Sequence, residues 1–219
     1  MRVAAGGAKD NPIRSTYEQA ARKRGYACIA GADEAGRGSL FGPVFAAAVI
    51  LDQASPIRGL RDSKQLTPER RAVLAERIRE RAVAWAVATA DASEIDAINI
   101  YQASRLAIKR AISMLRPAPD YLLVDALQID LDIPQEGIIH GDALSPSIAA
   151  ASILAKVDRD ACLCDWDQQF PQYGLARHKG YPTPEHLAAL AQHGPTPYHR
   201  MSYAPVRQLP LFPPDGASL

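Results

Sequence analysis

Apolar residues along the chain form short runs that glycine, proline and polar residues interrupt. The runs ACIAGADEA (27–35) and VFAAAVIL (44–51) predict two buried neighbouring strands, paired like a hairpin. Three later runs of similar length, AWAVATA, YLLVDAL and GIIHGDA, predict further strands. These runs together indicate a sheet with a largely buried interior.

Between these runs, apolar residues recur at helical spacing. Thr67 and Pro68 suit the N-cap and first residue of a helix that precedes AWAVATA. Ser93, with Asp96 three residues later, resembles a capping box for a long helix that the RPAP segment stops. A second long helix is predicted over PSIAAASILAKVDRDACLCDWDQQF, with its N-terminal half packed closely against the rest of the protein.

The order of these elements predicts an α/β domain with a mixed sheet and a small helical appendage. In the appendage, Thr183 and Gly194 bracket a short helix, and the proline-rich residues from Pro195 onward are predicted to be irregular. We expect a loose tail over 1–25, the α/β domain over 26–171, the helical part over 172–207 and an extended tail over 208–219.

Composition agrees with a globular chain, because 47% of the 219 residues are apolar and 22% are charged. No apolar run approaches the roughly 20 residues that span a bilayer, and the first residues lack the apolar core of a secretory signal, so we expect a cytoplasmic protein. The three cysteines match no common zinc motif or disulfide framework and are interpreted as reduced core thiols. The net charge of +1 neither indicates nor excludes a polyanionic ligand.

Four carboxylates come where apolar runs stop. Asp33 and Glu34 end the first predicted strand, Asp125 ends YLLVDA, and Asp142 ends GIIHGD. Any one of them could be a solvated acid in a turn, but the ends of neighbouring strands lie close together, and clustered carboxylates repel one another unless cations or protons intervene. Oxygen-only ligands in a partly open site favour Mg²⁺ or Mn²⁺ over zinc.

Three glycines, Gly36, Gly38 and Gly42, follow the first acid pair. Successive side chains of a regular strand point to opposite faces, so Asp33 and Glu34 can face one metal site only if the backbone turns or bulges there. The glycines permit such backbone angles and let amides approach a ligand. A phosphate-cradling loop is the competing interpretation, but the G-x-x-x-x-G-K-[ST] pattern is missing.

Five separated blocks are similar to bacterial ribonuclease HII, the type 2 ribonuclease H family, and stand in that family's order. They are GADEAGRGSLFGPV, RDSKQLT, YLLVDAL, GDALSPSIAAASILAKVDRD and FPQYGLARHKGYPTPEHLAALAQHGPTPYHRMSYAPV, within about residues 26–207. The resemblance implies a ribonuclease H-like mixed sheet flanked by helices. It also implies cleavage of the RNA strand in RNA–DNA hybrids and incision beside single ribonucleotides in duplex DNA. We expect a monomer.

By this resemblance the family's four acidic residues fall on the same four carboxylates. Tyr181 of HKGY is implied to pack against the sugar, beside a turn that reaches the ribose 2′-hydroxyl, the group that distinguishes RNA from DNA. Lysines of the DSK and HKGY blocks are candidates for phosphate contacts, although exposed lysines often have no specific partner. The implied substrate-binding residues are Gly36, Arg37, Gly38, Lys64, Lys179 and Tyr181.

Three positions depart from the family's usual pattern. His140 and Leu144 stand where a lysine and a basic residue are common, and Met201 stands where arginine is expected. These departures predict weaker phosphate binding. They leave the four acids in place.

The expected reaction is metal-assisted hydrolysis of a phosphodiester. One cation would activate a water while a second, about 3.5 to 4 Å away, would stabilise the leaving 3′-oxygen, giving 5′-phosphate and 3′-hydroxyl ends. A junction resolvase or transposase could use similar acids but would not need the GRG turn and the HKGY tyrosine. A non-catalytic nucleic-acid-binding module is disfavoured, because bare acids repel phosphates.

The C-terminal tail offers a separate signal. Gln208, Leu209, Leu211 and Phe212 resemble the QLxLF peptide with which many bacterial replication and repair proteins bind the sliding clamp. The segment is terminal and proline-flanked, so two apolar anchors could enter a partner's pocket at limited ordering cost. The competing interpretation is a hydrophobic latch that folds back onto the domain.

Overall fold

The computed structural model describes residues 13–208, which form a five-stranded sheet with flanking helices. The strands are β1 (Ile29–Ala35), β2 (Val44–Leu51), β3 (Ala82–Ala90), β4 (Tyr121–Asp125) and β5 (Gln135–Ile138). The helices are α1 (Thr16–Lys23), α2 (Pro68–Arg81), α3 (Ala92–Met114), α4 (Gly141–Leu144), α5 (Pro146–Gln169), α6 (Leu175–His178), α7 (Pro184–His193) and α8 (Ala204–Arg207). Within this range no helix is long and apolar enough to cross a membrane.

The sheet is mixed, as the sequence predicts, with the order β3-β2-β1-β4-β5. Strand β2 is antiparallel to β1 and β3, whereas β4 is parallel to β1 and β5. The last β1–β4 pair joins Ala32 to Val124. Asp33 and Asp125 follow directly after that pair, so they lie at the same end of two adjacent strands.

Side chains of β1 alternate between two cores. Ala30 and Ala32 pack in the cluster that contains the buried residues of α3, on one face of the sheet. Gly31 faces α5, where a Cβ would lie only 2.1 Å from the Ser147 carbonyl carbon. The missing side chain therefore lets the start of α5 lie directly against the strand that carries the first two acids.

The helices predicted before β3, after Pro146 and after Thr183 are confirmed as α2, α5 and α7. Thr67 and Thr183 act as N-caps, accepting hydrogen bonds at 3.3 Å from the amides of Arg70 and His186. The short helix α8 forms within the residues predicted to be irregular.

The capping box predicted at Ser93 and Asp96 is wrong. Asp91 caps α3, accepting from the Glu94 amide at 2.8 Å, and the Glu94 carboxylate accepts from the Asp91 amide at 3.0 Å. Asp96 instead accepts from the Met201 amide at 2.8 Å, which ties α3 to the C-terminal part. This tertiary contact has no signature in the local sequence.

The loose tail predicted for residues 1–25 also needs correction, because α1 lies within it. Glu18 of α1 is buried, and its Oε1 accepts from Ser145 Oγ at 2.6 Å and from Ser147 Oγ at 2.8 Å. These bonds attach α1 to the start of α5. Residues 1–12 of that tail lie outside the described residues.

Candidate active site

The four predicted acids lie on three elements at one end of the central strands. Asp33 and Glu34 are on β1, Asp125 ends β4, and Asp142 is in α4. The prediction that Asp142 ends a strand is wrong, because β5 stops at Ile138. Asp142 is nonetheless near Asp125. The amide of Gly141, the residue before Asp142, donates to Asp125 Oδ1 at 2.7 Å.

The bulge predicted between Asp33 and Glu34 is absent. Pairing of β1 with β2 continues without a break to Ala35 opposite Phe45, and the turn begins only at Gly36, with φ of +97°. The two neighbouring carboxyl groups therefore leave opposite faces of the strand. Both are still close enough to Asp125 for its charge to raise their pKa values.

Burial and mutual repulsion make these acids hard to ionise together. Burial raises the pKa of Asp33 well above its ordinary value, and the charges of Glu34 and Asp125 raise it further. Burial also raises the pKa of Glu34, against the opposing charge of Arg37, whose Nη1 lies 3.2 Å from Glu34 Oε1. Ionising both of them at once is therefore unfavourable unless a positive charge compensates.

Asp142 has a neighbour that the sequence analysis did not select. Burial raises the pKa of Asp142, and the carboxyl group of Asp62 raises it further, while Lys64 lowers it. Asp62 also caps the short turn that follows it, accepting from the Lys64 amide at 2.9 Å. The RDSKQLT block therefore places one acidic and one basic side chain near Asp142. In the sequence, the only sign of a role for Asp62 is its place in the same block as Lys64, two residues earlier.

The side chains fit a hard divalent cation by their chemistry. All of the donors are carboxylate oxygens, and Glu34 Oε2 is buried without a hydrogen-bond partner. Across residues 13–208, no three His, Cys, Asp or Glu side chains already converge on one point as ligands. Hydrogen bonds to Asp33 from the Glu34 amide (2.7 Å) and to Asp125 from Gly141 fix the orientation of these two carboxylates.

The GRG turn and the HKGY loop are adjacent, as the predicted sugar contacts require. A Cβ on Gly38 would lie 3.6 Å from the Tyr181 ring, and the Leu40 amide donates to the Gly180 carbonyl at 2.8 Å. Tyr181 keeps 38% of its surface exposed. Arg200 is fully buried, and its Nη1 donates to the Arg37 carbonyl at 2.8 Å. This hydrogen bond supports the turn from its buried side.

Lys179 is placed differently from a simple phosphate ligand. Its Nζ donates to the Ala176 carbonyl at 2.7 Å and to Cys164 Sγ at 2.9 Å. Its own carbonyl accepts from Arg159 Nη2 at 2.7 Å. The described contacts of Lys179 therefore organise the HKGY loop.

The positions that depart from the family pattern are all at the surface. Leu144 and Met201 are 44% and 49% exposed, and His140 adopts a left-handed conformation, with φ of +57°, just before α4. Gln208 of the tail is exposed, whereas Leu209, Leu211 and Phe212 lie outside the described residues.

A family model described as ribonuclease HII matches residues 30–206. The ribonuclease HII of Solibacter usitatus is 62% identical over 201 residues, which cover 92% of this chain and 88% of that protein. Among solved structures, the ribonuclease H2 of Pyrococcus horikoshii OT3 gives a TM-score of 0.71 at 26% identity, covering 84% of this chain and 97% of that one. The ribonuclease HII of Archaeoglobus fulgidus, solved in a complex with PCNA, gives 0.67 at 28% identity, with coverage of 84% and 98%. The chain therefore belongs to the ribonuclease HII family, endonucleases of the ribonuclease H class that cleave the RNA strand of RNA–DNA hybrids.

Proposed function

We propose that this enzyme also incises duplex DNA beside a single embedded ribonucleotide, leaving 5′-phosphate and 3′-hydroxyl ends, in the cytoplasm. The observation that carries the proposal is the position of the Tyr181 ring, 3.6 Å from where a Cβ on Gly38 would lie, in the turn that follows the acid pair on β1. This arrangement places a partly exposed aromatic ring and a glycine backbone beside the acids. A single ribose can be read there through its 2′-hydroxyl, since that group both donates and accepts hydrogen bonds.

The cofactor in this proposal is Mg²⁺ or Mn²⁺, held by Asp33, Glu34, Asp125 and Asp142. A bound divalent cation supplies an activated water and stabilises charge on the leaving oxygen. The chain's own residues orient the ligands, since the Gly141 amide fixes Asp125 and Arg37 holds one oxygen of Glu34. The raised pKa values of Asp33 and Glu34 support the proposal, because strongly perturbed carboxylates cluster at functional sites.

Positive groups around the acids would hold the substrate backbone. Arg37 has 43% of its side chain exposed beside Glu34, and Lys64 lies close enough to lower the pKa of Asp142. Both could contact phosphates that flank the cleaved bond. Lys179 contributes by ordering the loop that carries Tyr181, through its backbone contacts.

A partner is proposed as well. The tail that begins at Gln208 would bind the bacterial sliding clamp and raise the enzyme's local concentration on newly made DNA, where misinserted ribonucleotides occur. The Archaeoglobus fulgidus relative in its complex with PCNA, a sliding clamp, supports this idea. Binding to the clamp would leave the active site unaltered.

The test compares three duplexes of one sequence: all DNA, DNA with one ribonucleotide, and an RNA–DNA hybrid, each with Mg²⁺ and with Mn²⁺. We expect cleavage of the last two only. Tyr181→Ala should lower incision at the single ribonucleotide about tenfold or more while changing affinity for uncleaved duplex less than about threefold. Tyr101→Ala, at a similarly exposed tyrosine on α3, is the control and should behave as wild type.

Two results would contradict the proposal. One is an enzyme that cleaves the hybrid but leaves the single ribonucleotide intact with either metal. The other is a Tyr181→Ala variant that loses duplex binding and incision in equal proportion, since Tyr181 would then serve the fold or general binding.

A further inference from the structure

Arg159 of α5 is fully buried between the two loops assigned to the sugar. Its guanidinium carbon lies 5.2 Å from the centroid of the Tyr181 ring, within the range of cation–π attraction. Its Nη2 donates to the Lys179 carbonyl at 2.7 Å. A Cβ on Gly36 would lie 2.1 Å from Arg159 Nε. One side chain therefore contacts both the GRG turn and the HKGY loop.

This environment is unfavourable for a cation. Nε and Nη1 of Arg159 are buried without hydrogen-bond partners, and Asp160 Oδ1 lies 3.7 Å from Nη1. Burial lowers the pKa values of Arg159 and of Arg200, a second fully buried arginine, and the charge of Arg159 lowers the pKa of Arg200 further. An incompletely paired buried charge reduces stability, and apolar residues of similar volume often replace such groups at no loss of stability. Arg159 is thus poorly explained by stability alone.

The contacts of Arg159 explain what the charge does in this place. The guanidinium group fills the space that the missing side chain of Gly36 leaves open. The turn therefore packs against Arg159 where Gly36 adopts its φ of +97°. The same guanidinium group attracts the Tyr181 ring, while 38% of the surface of Tyr181 stays exposed. Packing alone would hold the ring less firmly than packing with cation–π attraction.

We infer that Arg159 is a positioning residue for ribonucleotide recognition, holding the Tyr181 ring and the Gly36 backbone in the arrangement that accepts one ribose. The inference rests on the proposed sugar contacts and adds the residue that aligns them. Arg159 reaches the substrate only through Tyr181 and Gly36. Removing it should therefore lower selectivity at a single ribonucleotide and leave the four carboxylates as they are.

The experiment is a double-mutant cycle with Arg159→Met and Tyr181→Ala, read on the single-ribonucleotide duplex and on the hybrid. Arg159→Met should lose about tenfold in incision at the single ribonucleotide and less on the hybrid, with an unchanged or higher melting temperature. The double variant should lose no more than about twofold beyond Tyr181→Ala, because the two residues act as one unit. Arg159→Lys, which keeps a cation beneath the ring, should retain more incision than Arg159→Met.

The control is Arg24→Met, since Arg24 also lies over tyrosine rings, 5.3 Å from Tyr26 and 5.1 Å from Tyr121, at the opposite end of β4. Arg24→Met should keep the wild-type ratio of incision at the single ribonucleotide to cleavage of the hybrid. Additive losses in the cycle, equal losses for the Lys and Met variants, or an unfolded Met variant would overturn the inference. If Tyr181→Ala lowers incision at the single ribonucleotide no more than cleavage of the hybrid, the proposed sugar contact is wrong. If Tyr181→Ala shows that selective loss and Arg159→Met does not, only the inference about Arg159 is wrong.

Discussion

At the scale of one residue, the backbone fixes the carboxylate of Asp125, a proposed cation ligand. The Gly141 amide binds its Oδ1 at 2.7 Å, which fixes the side chain at the end of β4. Gly141 itself is confined, because a Cβ there would lie 2.5 Å from Ile148 Cδ1. The remaining oxygen of Asp125 is left for a ligand.

Asp125→Asn should therefore preserve the fold and substrate binding and reduce cleavage by about 100-fold or more. The amide oxygen of Asn can still accept from Gly141, whereas the charge that binds a cation is lost. Single-turnover cleavage, duplex affinity and melting temperature are the measurements. Asp120→Asn is the matched control at the other end of β4, where Asp120 accepts from the Ala27 and Cys28 amides. Near-normal turnover of Asp125→Asn at saturating metal would rule out its assignment as a ligand.

Asp33 allows a stability measurement that is independent of activity. Its pKa in the folded chain is raised, so the ionised group destabilises the metal-free protein above that pKa, and the penalty disappears below about 3.8. Asp33→Asn should raise the metal-free melting temperature at pH 7, by about 2 to 4 °C for each kcal/mol of repulsion removed. The gain should vanish near pH 3.5, and added Mg²⁺ should stabilise only the wild type. An unchanged or lower melting temperature at pH 7 would contradict this account.

At the scale of elements, two buried histidines connect α7 to the loop before α8. The Thr196 amide donates to His199 Nδ1 at 2.9 Å, so the proton of the neutral His199 ring is on Nε2, which lies 3.4 Å from His186 Nε2. His186 Nδ1 lies 3.0 Å from the Tyr181 carbonyl oxygen. The described hydrogen bonds of His199 therefore need a neutral ring, because a second proton on Nδ1 would face the Thr196 amide.

Acid should weaken this connection. Burial, with a further contribution from His186, lowers the pKa of His199 from 6.5 to about 4, while the unfolded chain binds the proton near 6.5. The free energy of unfolding should be independent of this group above pH 6.5 and should fall by at most about 3 kcal/mol between pH 6.5 and pH 4. His199→Asn, which keeps an acceptor for Thr196, should show a flatter pH dependence. The exposed His193→Asn control should retain the full slope, and equal slopes in all three proteins would exclude the buried pair as its source.

Elements were predicted well where the signal is local. The Thr67 and Thr183 caps and the apolar periodicity of α2, α5 and α7 depend on residues within one turn of one another, and the structure confirms them. The α3 cap was misplaced by two residues, because the sequence carries two overlapping local patterns and the structure uses Asp91 with Glu94 rather than Ser93 with Asp96. Asp96 instead hydrogen-bonds to Met201, more than 100 residues away.

At the scale of the whole molecule, the C-terminal part closes over the loop that follows the acids. Phe41 pairs with His199 in an isolated bridge, and the Gly42 amide donates to the Tyr198 carbonyl at 2.9 Å. Arg200 Nε donates to the Gly42 carbonyl at 2.9 Å. The GRG turn is therefore held between the sheet and the appendage, so both parts support the proposed sugar contacts.

The tail gives the prediction at this scale. If Leu211 and Phe212 anchor the chain on a sliding clamp, Leu211→Ala/Phe212→Ala should reduce clamp affinity about 100-fold and leave incision of free duplexes unchanged. The measurements are clamp binding by titration, incision with and without clamp, and melting temperature. Unchanged clamp affinity, or a lowered melting temperature with no clamp binding by either protein, would favour the latch interpretation.

The sequence by itself determined the α/β class, the mixed sheet and the main helices, and it selected the four acids as candidates, because apolar periodicity, caps and carboxylates at the ends of apolar runs are local signals. Tertiary structure decided which groups meet. It brought Asp62 to Asp142, placed Arg159 under Gly36 and Tyr181, and joined His186 to His199. Such contacts join residues far apart in the chain, and their energies depend on burial and distance, which no short stretch of sequence records.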